Sequence, residues 1–312
     1  MRLYNFEIGG QRRLGIEWQE QLIDLATAYS AFLSGAEPKP GKLRAIPSEM
    51  LSFIRLGTLA LEAAGEALAF VKKRPAVPVG EQLAYPFEAV KILAPIPRPG
   101  KILCADTNYL AHKEGDPAAA LPTEPIFFAK LPNTVIGPGE SIVHPALTEQ
   151  LDSEVELAVV IGKRMKRALE TEVMDSIFGY TLINDVSARD VQFKGDQITL
   201  GKNFDTFCPL GPCIVTAEEL SQPDRVLLRA RLNGVVMQEG TTFDWIFPLP
   251  KLLSFLSHVM TLEPGDVVST GSPASTGAFR NPSVFMKPGD VVAIEAEGIG
   301  RLENPVIAEG KP

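Results

Sequence analysis

The chain has 312 residues, of which 45% are hydrophobic and 22% are charged, and its formal net charge is −8 at pH 7. This composition is that of an ordinary globular protein, long enough for one large domain and a smaller one. The acidic balance, without a basic cluster, argues against a nucleic-acid partner. No apolar run reaches the roughly 18 residues of a membrane-spanning helix, so no membrane association is expected. Cys104, Cys208 and Cys213 show no paired spacing, which indicates reduced thiols and a cytoplasmic location.

The first 97 residues are predicted to form a small α+β domain with a mostly structural role. Apolar spacing predicts two strands and then three helices, over residues 3–8, 13–18, 22–33, 48–55 and 59–72. Gly9 and Gly10 are typical of a hairpin turn between the strands, and Gly35 ends the first helix. Prolines concentrated over residues 75–99 mark the boundary to a second domain, residues 98–312.

Residues 98–312 are predicted to be mostly β. Short β-type runs, separated by Gly, Pro, Asn and Asp, lie at residues 101–105, 125–130, 155–161, 179–183, 212–216, 227–232, 267–270 and 291–295. Helices are expected at residues 170–177 and 249–260, and Pro-Gly-Asp turns at Pro264 and Pro288 each precede a strand. The expected fold class is therefore mostly β with α+β elements, as a sandwich, roll or barrel. No Rossmann or P-loop glycine pattern supports nucleotide binding.

Three carboxylates stand at the ends of two predicted strands. Glu154 and Glu156 are two residues apart at the start of an apolar run, so their side chains share one face of the strand. Asp185 follows the next strongly apolar run. Three such oxygen ligands suit a divalent cation, Mg²⁺ first, with Mn²⁺ or Ca²⁺ also possible. A solvated strand end remains the alternative for the glutamates, and a turn residue is the alternative for Asp185.

Several polar residues after Asp185 are candidates for substrate binding. Ser187 is typical of a helix N-cap, and Arg189 and Gln192 would then share one helical face and clamp a substrate carboxylate. Lys202 can stabilise an anionic or enolate oxygen, and Thr270, at a glycine turn, can seat a carboxylate or oxyanion. The alternatives are a surface helix face, a solvated lysine and a simple turn.

His112 is a candidate general base near neutral pH. Glu114 is the nearby carboxylate that would orient its ring. The other two histidines, His144 and His258, are expected to be structural.

Seven sequence blocks, taken in order, resemble the fumarylacetoacetate hydrolase family. They span residues 108–112, 125–130, 136–140, 154–162, 184–190, 201–209 and 264–273. The resemblance, to two-domain acylpyruvase-like members, implies a mixed β-sandwich roll that follows a small N-terminal domain. It also implies a bound Mg²⁺, or Mn²⁺ or Ca²⁺, and usually a homodimer.

The resemblance also implies a role for each matching residue. The implied metal ligands are Glu154, Glu156 and Asp185, the substrate-binding positions are Arg189, Gln192, Lys202 and Thr270, and the catalytic histidine is His112. One departure is that the family usually places a glutamate three residues after the histidine, where this chain has Gly115, so the nearest candidate is Glu114.

The expected activity is metal-dependent hydrolysis of a C–C bond in a small anionic 2,4-dioxo acid such as an acylpyruvate. Two alternatives stay open. One is decarboxylation or isomerisation of an oxaloacetate-like or unsaturated keto acid at the same site. The other is a metal-binding family member with little catalysis.

Overall fold

The computed structural model of the protein describes residues 1–35, 40–73, 82–110, 121–195 and 197–310. The strands are β1 (Arg2–Ile8), β2 (Gln11–Trp18), β3 (Gln21–Asp24), β4 (Ala84–Pro86), β5 (Lys91–Leu93), β6 (Ile102–Ala105), β7 (Phe127–Lys130), β8 (Val135–Ile136), β9 (Ile142–His144), β10 (Leu151–Asp152), β11 (Val155–Ile161), β12 (Ile177–Asn184), β13 (Ser187–Ala188), β14 (Cys208–Thr216), β15 (Leu227–Leu232), β16 (Val235–Thr241), β17 (Val267–Ser269), β18 (Val291–Ala296) and β19 (Gly300–Ala308). The helices are α1 (Leu25–Ser34), α2 (Met50–Leu56), α3 (Thr58–Lys72), α4 (Arg189–Gln192), α5 (Ile198–Lys202) and α6 (Leu249–Val259). The prediction of a mostly β protein with helical elements is confirmed.

The N-terminal segment forms the predicted hairpin but only part of the predicted first helix. Gly9 and Gly10 have φ values of +56° and +74°, which favour glycine in the turn between β1 and β2. Leu22 and Ile23, expected in the helix, instead lie in β3 and pair with β2. Helix α1 begins after Asp24, whose side chain accepts a hydrogen bond from the N–H of Thr27 at 3.0 Å. The helix therefore starts where a capping carboxylate is available.

Among the described residues, one large sheet contains twelve strands. Its order is β4-β3-β2-β1-β14-β12-β11-β17-β6-β7, with β5 beside β1 and β8 beside β14. β1 pairs with β14, so that Leu3 lies opposite Ile214. Strands from both sides of residue 97 thus share one sheet, and the division into two domains there stays a prediction.

The large sheet is covered on both faces. Helices α1–α3 pack on one face. A five-stranded sheet, in the order β16-β15-β18-β19-β9, packs with α6 on the other. All of β11 is buried, with Leu157 directed to one core and Ala158 to the other. This explains why β11 reads as a continuous apolar run, and it makes Glu156 a carboxylate inside a strand that is covered on both sides.

Other predicted elements need correction in detail. The helix expected over residues 170–177 is a short 3₁₀ turn, Val173–Ser176, because Ile177 already belongs to β12. β16 and β19 were not predicted. The Pro-Gly-Asp turns are confirmed by φ values of +89° at Gly265 and +96° at Gly289, but they lead into strands of different sheets.

No helix in the described part of the chain combines the length and the apolar character that a membrane crossing requires.

Candidate metal centre

The pairing of β11 with β12 brings the three predicted carboxylates together. Val155 lies opposite Asn184, and the N–H of Asp185 donates to the carbonyl of Glu154 at 3.0 Å. The start of one antiparallel strand therefore lies beside the end of the other. Oxygen atoms of Glu154, Glu156 and Asp185 lie within 4.8 Å of one another, and all three residues are buried. The solvated strand end considered for Glu154 and Glu156 is wrong, because both residues are buried.

Two of these carboxylates have buried cations as partners. Lys202 Nζ donates to Glu154 Oε2 and to Asp185 Oδ2, both at 2.5 Å. Arg189 Nη2 donates to the other oxygen of Glu154 at 2.7 Å, and Lys130 Nζ donates to the other oxygen of Asp185 at 2.6 Å. Burial alone would raise the pKa of Glu154, but the charges of Arg189 and Lys202 hold that pKa well below its usual value.

Glu156 is in a different environment. The hydroxyl of Ser269, at the end of β17, donates to its Oε2. Burial raises the pKa of Glu156 well above its usual value, and the negative charges of Asp185 and Glu154 raise it further. A divalent cation would relieve both effects, because it offers positive charge to a carboxylate that the protein leaves poorly compensated.

A small polar cavity opens onto the carboxylates. It is lined by Ala105, Asp106, Thr107, Phe128, Glu154, Glu156, Asp185, Arg189, Gln192, Lys202 and Ser272. Asp106 adds a fourth carboxyl group, whose pKa is raised by burial and by the charge of Glu154. Hard oxygen donors beside a small polar cavity fit a divalent cation such as Mg²⁺ or Mn²⁺, with space left for a small anion.

Comparison with known families identifies the family of this chain. The model described as "Fumarylacetoacetate (FAA) hydrolase C-terminal" matches residues 101–307. The chain belongs to the fumarylacetoacetate hydrolase family. The resemblance seen in the seven sequence blocks is therefore confirmed.

Relatives in this family extend the match to nearly the whole chain. An oxaloacetate tautomerase of Xenopus laevis, named as mitochondrial, is 39% identical over 98% of this chain and 90% of its own length. An oxaloacetate tautomerase of Bacillus subtilis is 39% identical over 88% of this chain and 91% of its own length.

Solved structures of the family share the fold. The fumarylacetoacetate hydrolase of Exiguobacterium antarcticum is 33% identical with a TM-score of 0.80, covering 99% of this chain and 100% of that one. A maleylpyruvate hydrolase of a Sphingobium species, solved with manganese (II) ion and pyruvate, is 27% identical with a TM-score of 0.75, again covering 99% and 100%. The family fold expected from the sequence is confirmed.

Arg189 and Gln192 both line the cavity, but the guanidinium of Arg189 donates to side chains of the protein itself. Besides Glu154, its guanidinium donates to Asp152 Oδ2 at 2.9 Å and to Gln192 Oε1 at 3.1 Å. The predicted N-cap at Ser187 is wrong. Ser187 lies in β13, its hydroxyl donates to the carbonyl of Asp185, and α4 begins at Arg189.

The remaining predicted residues differ in position. Lys202 ends α5 and is buried, so the solvated alternative is wrong for it. Thr270 is also buried, and its hydroxyl donates to the carbonyl of Leu157 at 2.9 Å, whereas Ser272 lines the cavity. His112 and Glu114 lie outside the described residues, and their roles stay predictions.

Four polar residues of this region were not assigned roles from the sequence. Asp152 holds Arg189 and also accepts from the N–H of Gly277 at 2.9 Å. Its spacing, two residues before Glu154, was a usable signal, because alternate residues of an extended segment point the same way. Lys130, Ser269 and Asp106 each stand alone at or near a strand end, and that position gives no comparable pattern.

Proposed function

We propose that the protein is a divalent-metal-dependent oxaloacetate tautomerase, which interconverts the enol and keto forms of a small anionic keto acid. The observation that carries this proposal is the similarity, over most of the chain, to oxaloacetate tautomerases from a vertebrate and a bacterium. This is the isomerase alternative drawn from the sequence, and we rank it above C–C hydrolysis.

The chemistry of tautomerisation suits the site. One proton moves between the C2 oxygen and C3, and no C–C bond breaks, so no water molecule has to be activated. A cation held by Glu154, Glu156 and Asp185 would supply Lewis acidity to the C2 oxygen and the neighbouring carboxylate. Mg²⁺ is the first candidate, with Mn²⁺ or Ca²⁺ as alternatives.

Lys202 and Gln192 are the proposed substrate contacts among the described residues. The Lys202 ammonium has three N–H groups, and two of them are directed to Glu154 and Asp185. The third can stabilise negative charge on the C2 oxygen. Because Gln192 accepts from Arg189 through Oε1, its NH₂ group is oriented to donate to a substrate carboxylate. Arg189 then acts by holding Glu154 and Gln192.

Two sequence-derived roles complete the proposal. His112, with Glu114 as its partner, would carry the proton between oxygen and carbon. The glycine turn at Thr270 would seat a substrate carboxylate or oxyanion, and Ser272 of this turn lines the cavity. A homodimer and a cytoplasmic location also stay predictions. Sedimentation of the purified protein tests the first, and imaging of the tagged chain tests the second.

Hydrolysis of a 2,4-dioxo acid is the second candidate. The maleylpyruvate hydrolase that shares the fold was solved with manganese and pyruvate, which favours it. In that reaction the C3–C4 bond breaks, the oxygen of water adds to C4 to give a carboxylic acid, and C3 gains a proton to give pyruvate. His112 would activate the water.

One set of assays separates these functions. The protein, with Mg²⁺ or Mn²⁺, is given oxaloacetate and a panel of acylpyruvates, and loss of the enol absorbance, release of CO₂ and release of pyruvate are followed in parallel. We expect enol loss to be the fastest reaction. Faster pyruvate release from acylpyruvates would identify a hydrolase, and faster CO₂ release would identify a decarboxylase.

One control and one further outcome complete the experiment. Because free metal ions promote reactions of oxaloacetate, the same metal with the Glu156→Gln variant gives the background rate. Stoichiometric metal binding without turnover on any of these acids would identify a metal-binding family member with little catalysis.

A further inference from the structure

Lys130 is a second buried lysine behind the carboxylates. It ends β7, and its side chain is 0% exposed. Its Nζ donates to Asp185 Oδ1 at 2.6 Å, to the carbonyl of Lys202 at 2.7 Å and to the carbonyl of Val186 at 3.2 Å. An ammonium has three N–H groups, so all of them have partners within the protein. A fully buried charge is stable only with such partners.

The three acceptors belong to two separate parts of the chain. Asp185 and Val186 follow β12, whereas the Lys202 carbonyl stands at the end of α5. One ammonium therefore connects β7, the end of β12 and the end of α5. Asp185 is held on both sides, because Lys130 contacts Oδ1 while Lys202 contacts Oδ2.

We propose that Lys130 is a positioning residue of the metal centre, which orients the Asp185 carboxylate and fixes the main chain from which Lys202 reaches the cavity. The inference rests on the proposed metal-dependent function. Asp185 and Lys202 line the cavity themselves, while every N–H of Lys130 is directed to protein atoms. Lys130 thus acts through its neighbours and not on the substrate.

Two effects of Lys130 on metal affinity have opposite signs. If Lys130 contributed only its charge, its removal would make the site more negative and would tighten the binding of a cation. If it holds Asp185 in place, its removal releases a ligand and weakens binding. Loss of such an outer-shell partner typically weakens metal binding by about 10–100-fold. The direction of the change therefore identifies the role.

The test compares the full-length wild type with the Lys130→Met and Lys91→Met variants. Lys91 is a matched control, because it is an exposed lysine whose Nζ also donates to a carboxylate, that of Glu140, at 3.0 Å. Binding of Mn²⁺ is measured by titration calorimetry, and the visible absorption of the Co²⁺-loaded protein reports the ligand geometry. We expect K130M to bind Mn²⁺ about 10–100-fold more weakly and to show a changed Co²⁺ spectrum, and K91M to match the wild type.

The outcomes separate the two proposals. A wild type that binds no divalent cation overturns the proposed metal-dependent function. The role of Lys130 alone is overturned if the wild type binds Mn²⁺, K130M binds it as tightly or more tightly, and the Co²⁺ spectrum of K130M is unchanged.

A second pair of variants covers the case in which K130M does not fold. Asp185→Asn neutralises only the carboxylate of the ion pair, and the double variant K130M/D185N neutralises both partners. If Lys130 acts through Asp185, the double variant is more stable than K130M, or folds where K130M does not, because it no longer carries a buried carboxylate that has lost the partner of its Oδ1 atom. A double variant that is no more stable than K130M, or that fails to fold when D185N folds, overturns the inference.

Discussion

The two sides of the carboxylate site are built in opposite ways. On one side, Glu154 and Asp185 accept charged hydrogen bonds from Lys202, and each has a further buried cation. On the other side, Glu156 lies near the start of the buried strand β11 and accepts from the neutral hydroxyl of Ser269. The pKa values of the two glutamates, two residues apart, are accordingly shifted in opposite directions.

This difference explains how three carboxylates can lie close together inside a folded protein. The protein supplies positive charge for two of the ligands, so the repulsion among three buried anions is reduced. The third ligand, Glu156, has a raised pKa, because a proton on its carboxyl group removes the remaining repulsion. Glu156 is therefore the carboxylate whose ionisation depends most on a bound cation.

The largest expected effect comes from Glu156→Gln. The variant removes a proposed ligand without changing the size of the side chain. We expect divalent metal binding and turnover to fall by at least about 100-fold, since loss of even an outer-shell partner costs 10–100-fold. The metal-free variant should at the same time melt higher than the metal-free wild type at neutral pH, because glutamine needs no proton to remain neutral. Calorimetric titration with Mn²⁺ and thermal melts measure both.

Glu239→Gln is the matched control for this variant. Glu239 is exposed, pairs with Arg229 and should behave as the wild type in both experiments. A Glu156→Gln protein that keeps full metal affinity would show that Glu156 is not a ligand.

Lys202→Met should have the next largest effect, on the other side of the site. Removal of one partner from a buried ion pair costs about 3–5 kcal/mol, so the free energy of unfolding of the metal-free protein should fall by that order. Loss of one donor to a developing oxyanion lowers kcat by about 10²–10³-fold. Chemical denaturation and steady-state kinetics measure the two effects.

Added Mn²⁺ should restore part of the lost stability, because a cation replaces part of the missing charge beside Glu154 and Asp185. Lys91→Met is again the control. If Lys202→Met were as stable as the wild type without metal, the compensation attributed to Lys202 would be wrong.

The opposite pKa shifts predict opposite pH dependences. The raised pKa of Glu156 means that its contribution to stability is complete below its ordinary value of 4.5 and is lost as the pH rises through the folded-state pKa. The lowered pKa of Glu154 means that its contribution is present above 4.5 and is lost as the pH falls toward its folded-state pKa. The stability difference between Glu156→Gln and the metal-free wild type should therefore grow as the pH rises.

Metal binding should also depend on the proton of Glu156. While Glu156 is protonated, binding must release that proton, so the affinity should fall by about tenfold for each unit of decreasing pH. Titrations with Mn²⁺ in two buffers of different ionisation enthalpy measure the number of protons released. A Mn²⁺ affinity that does not change as the pH falls would contradict the raised pKa of Glu156.

The clustering of the three carboxylates could be predicted from the sequence, because regular spacing and strand ends carry this information. Glu154 and Glu156 lie at the start of β11, which is buried on both faces, and its antiparallel partner β12 ends immediately before Asp185. Alternation within a strand and the closeness of paired strand ends are local rules, so they can be applied to a sequence. Apolar β-type runs gave β11 and β15, and helical spacing gave α6, all within one residue.

The features that the sequence did not predict depend on contacts between distant segments. Leu22 and Ile23 fit helical spacing, but pairing with β2 placed them in a strand. The counter-charges Lys130 and Lys202 stand 72 residues apart and meet only because β7 and α5 pack together. Neither residue has a sequence neighbour that shows which carboxylate it will reach. A sequence therefore indicates the ligands of this site more readily than the charges that balance them.

The smallest expected effect is that of Ser269→Ala. The Ser269 hydroxyl donates to Glu156, and this hydrogen bond favours the ionised carboxylate that a cation requires. A hydrogen bond to a charged group contributes about 1.5 kcal/mol or somewhat more, so Mn²⁺ should bind roughly tenfold more weakly to the variant at a fixed pH. Ser257→Ala is the control, since Ser257 is a buried serine of α6 whose hydroxyl donates to a main-chain carbonyl. The deficit of Ser269→Ala should shrink at high pH, where Glu156 ionises without help, and a deficit that is constant with pH would show that Ser269 acts on the shape of the site and not on the charge of Glu156.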